Sequence, residues 1–283
     1  MRILVVIGRV LDPSGMIVNR RRGRIFINRE EYLINPADRC ALEAALRIKD
    51  ATGGSTGPVL SGAEGLTTSA EVVALPRSPL PDDDVLRQAL AAGADRAGQI
   101  ANLPPTAGDA VMARVLAAAV TQLGGADLVL IGAITLDTGQ GQLGPRLAEA
   151  LGWPQILGAW QVEATDGRVR VVRRTFPPLV GGEGEGTGYV AVEAELPAVV
   201  TVLPGALKPR YPDGVRLINV YRAEDAVEKW DVSDLVDEAA LQPLLEKRGQ
   251  DFPPERERGT RLSGGPEEMA QALADALRQR VRG

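Results

Sequence analysis

Residues 127–152 run DLVLIGAITLDTGQGQLGPRLAEALG. The stretch opens with an unbroken apolar run, Leu128 to Ile131, far too short to cross a membrane and bounded by Asp127 and Gly132, which is the pattern of a strand buried on both faces. A loop with glycines at 139, 141 and 144 follows, and then the helical segment PRLAEALG. Strand, glycine loop, helix is the repeating unit of a parallel α/β sheet. Working outward, the runs Ile3 to Ile7, Glu71 to Leu75 and Ala198 to Leu203 have the same character. Between them, Ala41, Ala44, Ala45 and Ile48 form one helical stripe, and Met112, Val115, Leu116, Ala119 and Leu123 form a second. Residues 1–205 therefore read as a doubly wound, mostly parallel α/β domain of Rossmann-like type.

Two segments interrupt this rhythm. Residues 51–70, rich in Gly, Ser and Thr, read as an inserted surface loop. Residues 161–195 alternate in two segments, QVEATDGRVRVVRR and TGYVAVEAEL, with Asp166-Gly167 as a hairpin turn and GGEGEG as a tip, giving an antiparallel edge on the parallel core. Beyond Pro204 the chain gains prolines and charge clusters, so residues 206–283 read as an extended C-terminal arm. Met269, Leu273, Leu277 and Val281, spaced by four, mark a terminal amphipathic helix that must pack on this chain or dock on a partner.

With 283 residues, 45% of them apolar, the chain can bury a full core. Lys and Arg total 32 against 37 Asp and Glu, and the resulting charge of -5 offers no general attraction for nucleic acid. Cys40 is the single cysteine and there is no histidine. An intramolecular disulfide, a Ser-His-Asp triad, a Cys-His pair and a His-containing metal site are thereby excluded, and any redox chemistry must come from a cofactor. The opening run at residues 2–7 is too short for a signal core or a membrane span, so a cytoplasmic location is expected.

Three places carry candidate binding chemistry. Asn35-Pro36 stands directly before the first helical stripe, where it starts a helix well. It also lies near the carboxyl end of the first strand, where open α/β sheets bind ligands, and the backbone N–H groups of residues 36–38 are expected to reach an adenine edge or a ribose. The loop from Asp137 through Gly144 is the stronger candidate. Its glycines admit close approach, and the helix start after it supplies N–H donors and positive potential for a phosphate. It matches neither a Walker loop nor the GxGxxG fingerprint. Asp137 would repel a phosphate and is expected to hold a ribose hydroxyl or a loop N–H instead. Arg77, just past the second strand run, is placed to clamp a phosphate, with plain surface solvation as the alternative.

Along residues 2 to about 223 the chain resembles the electron-transfer flavoprotein beta subunit family. The resemblance is carried by RILVVIGRVLDP, NPADRCALEAALRIK, LRQALAAGADRA, ADLVLIGAITLDTGQGQLGPRLAEALGWPQ and LPAVVTVLPGALKPRYPDGVRLINVYRA, in that order. It implies an adenine-nucleotide alpha-hydrolase-like fold and a heterodimer with an alpha subunit that carries the redox-active FAD, braced by this chain. It further implies a second nucleotide here, AMP or a second FAD, touching Val6, Asn35, Pro36, Ala37, Asp38, Arg77, Asp137, Thr138, Gly139, Gln140, Gly141, Gln142, Leu143 and Gly144. Gln142-Leu143-Gly144-Pro145 and Ala107-Gly108-Asp109 resemble the electron-bifurcating type, whereas Gly139 stands where the family commonly has a second acid. The partners so implied are the alpha subunit and redox dehydrogenases or a quinone oxidoreductase. No residue is expected to act as acid, base or nucleophile. Two other classes compete: a stand-alone adenine-nucleotide sensor, and an enzyme exchanging hydride between NAD(H) and flavin.

Overall fold

The computed structural model describes residues 1–53, 70–80, 82–165, 167–174, 188–245, 259 and 261–281. The inserted segment 51–70 beyond Gly53, the Asp166 half of the hairpin turn and the GGEGEG tip lie outside the described residues, apart from Ala70.

In chain order the elements are β1 (Arg2–Ile7), β2 (Arg9–Leu11), β3 (Met16–Asn19), β4 (Arg24–Ile27), β5 (Tyr32–Ile34), α1 (Pro36–Ala51), β6 (Glu71–Pro76), α2 (Asp83–Ala92) and β7 (Arg96–Ala101). There follow α3 (Asp109–Gln122), β8 (Leu128–Gly132), α4 (Leu143–Leu151), β9 (Gln155–Thr165), β10 (Arg168–Arg174), β11 (Tyr189–Glu195), β12 (Ala198–Val202), α5 (Gly214–Arg222), β13 (Glu228–Asp231) and α6 (Pro266–Val281). One compact unit spans Met1–Glu246; Lys247–Gly283 forms another, which contains α6, the helix expected from the spacing of Met269, Leu273 and Leu277.

The main sheet has nine strands in the order β11-β10-β9-β12-β8-β1-β6-β7-β13. It is parallel from β9 through β13. The antiparallel edge holds three strands where two alternating segments were expected, because β9 pairs parallel with β12 at its start and antiparallel with β10 along the rest. Within β1, Ile3, Val5 and Ile7 pack with α1 and α2, while Leu4 and Val6 pack with α3 and α4. Period-two alternation within an unbroken apolar run thus feeds two cores at once. Each fully buried Leu, Ile or Val in this centre contributes roughly 1.5–3 kcal/mol.

The winding locates the crevice. From β1 the chain passes through α1 to β6 and through α2 to β7, then returns on the other face through α3 to β8, on the opposite side of β1 from β6. Strand order therefore reverses between β1 and β8, where ligands bind in sheets of this kind. The loops after β1 and β8 carry both strong sequence candidates.

The four short strands β2 to β5 were not expected, and neither were two strands of the main sheet. β7 contains Arg96, Gly98 and Gln99, so it lacks an apolar run. A Cβ on its Gly98 would lie 3.1 Å from the Trp230 ring of β13, a tight contact. β13 is four residues long and mostly polar, and Arg96 holds it through two bonds of 2.8 and 2.9 Å to Glu228.

Gly144 has a similar structural reason. It lies inside α4, and a Cβ on it would come within 2.5 Å of Thr201 Cγ2 on β12. Helix propensity favours alanine by about 1 kcal/mol, but the overlap costs about 1–3 kcal/mol. Gly144→Ala is expected to lower stability by about 1–2 kcal/mol. Thr201→Ser, which removes the obstructing methyl group, should recover much of the loss. Urea unfolding of both single variants and the double variant checks this; strict additivity would remove the packing explanation.

Candidate functional site

The site is built on Asp38, in the first turn of α1 and fully buried. Its Oδ2 accepts the Gly8 N–H at 3.1 Å from the end of β1. Its Oδ1 accepts the Gly132 N–H at 3.0 Å from the end of β8 and Arg77 Nη1 at 2.7 Å. The same Nη1 donates to the Gly132 carbonyl at 3.0 Å. One carboxylate thus joins the ends of β1 and β8 to the residue that follows β6. Burial pushes its pKa up, against the downward pull of Arg77, Asn35 and these donors. The two glycines are required: a Cβ on Gly132 would sit 2.1 Å from Asp38 Oδ1, and one on Gly8 would sit 2.8 Å from Arg77 Cβ.

Arg77 is 6% exposed, so the surface-solvated reading is corrected. Its Nη1 is engaged beneath the crevice by Asp38, where sequence position alone suggested a phosphate clamp. Val6 likewise turns its side chain into the core with Leu4 and Leu75.

Above this floor stands Asn35. It occupies the N-cap position of α1, but its side chain does not cap the helix. Nδ2 donates to the Ile134 carbonyl at 2.9 Å, and Oδ1 accepts the Leu136 N–H at 3.1 Å. Asn35 is itself buried, and these two part-buried bonds fasten the β8–α4 loop to the start of α1. Of residues 36–38 only Ala37 and Asp38 offer an N–H, proline having none.

The loop itself is exposed from Leu136 to Gln140. Thr135 takes the Gly139 N–H at 3.0 Å and donates its own N–H to the Gln140 carbonyl at 3.1 Å, with Gly139 at φ +65° completing the turn. Asp137 accepts the Thr138 N–H at 2.7 Å, the loop-backbone partner that was one of its two expectations. A Cβ on Gly141 would approach the Ala133 carbonyl to 2.6 Å. Among the described residues no acceptor takes the N–H groups of Gln140, Gly141, Gln142, Leu143 or Gly144. Gln142 caps nothing and instead accepts from Arg146 at 3.1–3.2 Å. Unpaired N–H donors at the start of a helix are groups of the kind that can receive an anion.

Beside this floor is a second acid–base pair that sequence reading missed. Asp82, 1% exposed before α2, lies 3.5 Å from Arg9 Nε, and Arg9 stacks 4.4 Å over the Tyr32 ring. Arg9 Nε and Asp82 Oδ1 have no hydrogen-bond partner among the described residues. The available signal was an aspartate at a helix start with an arginine just past the first strand.

Residues 24–235 match the sequence profile of the family described as Electron transfer flavoprotein domain. The chain belongs to the electron-transfer flavoprotein beta subunit family. It is similar to "Electron transfer flavoprotein subunit beta" of Bacillus subtilis (strain 168), at 29% identity over 100% of this chain and 99% of that protein. It is similar also to "Acryloyl-CoA reductase electron transfer subunit gamma" of Anaerotignum propionicum, at 28% over 99% of each chain. A third relative is "Probable electron transfer flavoprotein subunit beta" of Saccharomyces cerevisiae (strain ATCC 204508 / S288c), at 30% over 93% of this chain and 92% of its own.

In this electron-transfer flavoprotein family member the fold gathers Asn35, Asp38 and the loop that leads from β8 to α4 at the carboxyl ends of β1 and β8, with Arg77 bonded to Asp38. A separate cavity of about 380 Å³ is lined by Leu42, Leu46, Leu207, Pro209 and Arg210, and meets the predicted site only at Pro36. Among the described residues no cluster of acids, Cys or His could hold a metal ion. No helix among them is long and apolar enough to cross a membrane.

Asp82 gives this subunit a pH signature. Burial lifts its carboxyl from an ordinary 3.8 to about 7, against the pull of Arg9. The folded chain then keeps a proton that the unfolded chain releases, so the contribution is full below about pH 4 and is lost as pH rises through about 7. The upper bound is on the order of 4 kcal/mol. Asp82→Asn is expected to flatten the fall in unfolding free energy across that window; parallel curves for the two proteins would refute the assignment.

Proposed function

We propose that this chain is the beta-type subunit of a heterodimeric electron-transfer flavoprotein, working in the cytoplasm, and that it binds AMP or a second FAD in the crevice between β1 and β8. In this reading an alpha-type subunit carries the redox-active FAD, and this subunit braces it for exchange with dehydrogenases and a quinone or ferredoxin pathway. The observation that carries the nucleotide assignment is the run of five N–H groups at residues 140–144 without an acceptor among the described residues, in a loop whose first part Asn35 anchors at Ile134 and Leu136.

The residues fit a nucleotide in their division of labour. The amides of 140–144 are suited to phosphate, with Asp137 at the rim and the Asn35-Pro36 turn beside them. The bound flavin supplies the redox chemistry, and the protein contributes binding, orientation and electrostatics. This chain therefore acts as a carrier subunit with no acid, base or nucleophile of its own. The wide-ranging likeness to named electron transfer subunits favours this over a stand-alone adenine-nucleotide sensor.

Asn35→Ala removes two part-buried bonds to the Ile134 carbonyl and the Leu136 N–H, a cost of about 0.5–1.5 kcal/mol for each. Nucleotide affinity is expected to fall roughly tenfold as the loop loses its anchor. Cofactors extracted from the co-expressed complex and identified by mass decide between AMP and FAD. A colourless monomer holding only AMP or ATP would overturn the heterodimer reading, and an Asn35→Ala chain with undiminished nucleotide would overturn the site.

A further inference from the structure

Between Gly8 and Asn35 the chain makes an excursion that the nucleotide crevice does not need. β2 pairs with β5, and β3 with β4, all antiparallel. Bonds from Asp12 N to the Glu31 carbonyl (2.8 Å) and from Asn28 N to the Gly15 carbonyl (2.9 Å) make the two pairs one continuous ribbon. Its root is buried through Val10 and Ile34. Its outer half is not.

The register places Met16, Val18, Ile25 and Ile27 on one face of the outer ribbon and Ile17 with Phe26 on the other. Ile17, Val18, Ile25, Phe26 and Ile27 are each between 43% and 57% exposed. A two-stranded ribbon is marginal in water by itself, and apolar surface gathered on both faces marks a contact surface. At the end stand Arg20, Arg21, Arg22 and Arg24, and residues 16–29 contain no acid, in a chain whose net charge is -5. Among the described residues Arg21, Arg22 and Arg24 enter no ion pair, whereas Arg29 pairs with Glu31.

This order of chemistry selects the occupant. A bilayer would have to take up the guanidinium groups of the end before any apolar residue, which is unfavourable. A nucleic acid would engage the arginines and leave both apolar faces wet. A protein cleft with apolar walls and carboxylates at its closed end satisfies all of them. The ribbon's root fixes where such a partner sits: the Asn35 N–H bonds the Gly8 carbonyl at 2.8 Å, and the Asn35 side chain holds the 134–136 loop.

We propose that the β-ribbon of residues 9–34 is a docking arm that inserts into an apolar, acid-ended cleft of the partner subunit, seating that subunit beside the nucleotide loop. The proposal rests on the heterodimer reading above.

The test titrates separately purified alpha-type subunit into the wild-type chain, Ile17→Asp/Ile25→Asp and Arg21→Glu/Arg22→Glu/Arg24→Glu. Dissociation constants are read by sedimentation at low and high salt. The apolar variant should bind at least roughly tenfold more weakly at both salts, and the charge variant chiefly at low salt. Circular dichroism and melting of the isolated chains should match wild type; if the aspartates disturb folding, Ile17→Ser/Ile25→Ser replaces them. A wild-type heterodimer that forms equally well with every variant overturns the arm and leaves the heterodimer reading intact. Failure of the wild-type pair to assemble overturns both. Flotation of the wild type, but not the variants, with phosphatidylglycerol vesicles would assign the arm to lipid and overturn the proposal.

Discussion

The Asp38 carboxylate is the interaction on which the crevice depends. A buried charge is tolerable only when it is paired and its acceptor sites are filled. Here Arg77 pairs it, and the N–H groups of Gly8 and Gly132 fill it. Those donors come from the ends of β1 and β8, the two strands between which the winding reverses, so satisfying one side chain also fixes the geometry of the switch point. The requirement reaches back into the sequence: glycine is needed at 8 because Arg77 crosses there, and at 132 because Asp38 itself does.

That knot also decides what kind of binding the crevice can offer. Its buried cation is committed to Asp38, and Asp137 at the rim is turned onto the Thr138 N–H. Backbone amides at the start of α4 are among the donors left over. Neutral donors held in fixed positions can receive an anion without a lysine or arginine in contact, which accounts for a glycine loop that fits no lysine-bearing fingerprint. The neighbouring Arg9 and Asp82 repeat the theme of a buried pair less completely, since at 3.5 Å each leaves an atom unsatisfied.

Where the sequence was legible, the reason was burial on both faces. Leu128 to Ile131 and Ile3 to Ile7 could only be central strands, and the glycine loop between a strand and a helix could only lie at a carboxyl edge. β7 was hidden because its polar residues have local tasks: Arg96 holds Glu228, Gly98 admits Trp230, and Gln99 accepts the Asp82 N–H. In the site, the side-chain contacts of single residues were not legible. Gly144 looked like a ligand-approach glycine, yet Thr201 packs against it from another strand; Arg77 looked like a clamp, yet its partner is 39 residues away in sequence. Pairings across such distances leave no periodic trace in one chain.

The same logic explains why a subunit without histidine suits electron transfer. Transfer of electrons between bound flavins asks the protein for fixed separations and a constant electrostatic environment, not for proton-moving side chains. In this chain the Asp38 carboxylate is paired below the surface, and the loop after β8 is tied at two points by the Asn35 amide. The apolar and arginine-bearing half of the ribbon is exposed, so a partner of the proposed kind would cover it without disturbing the Asp38 knot at its root.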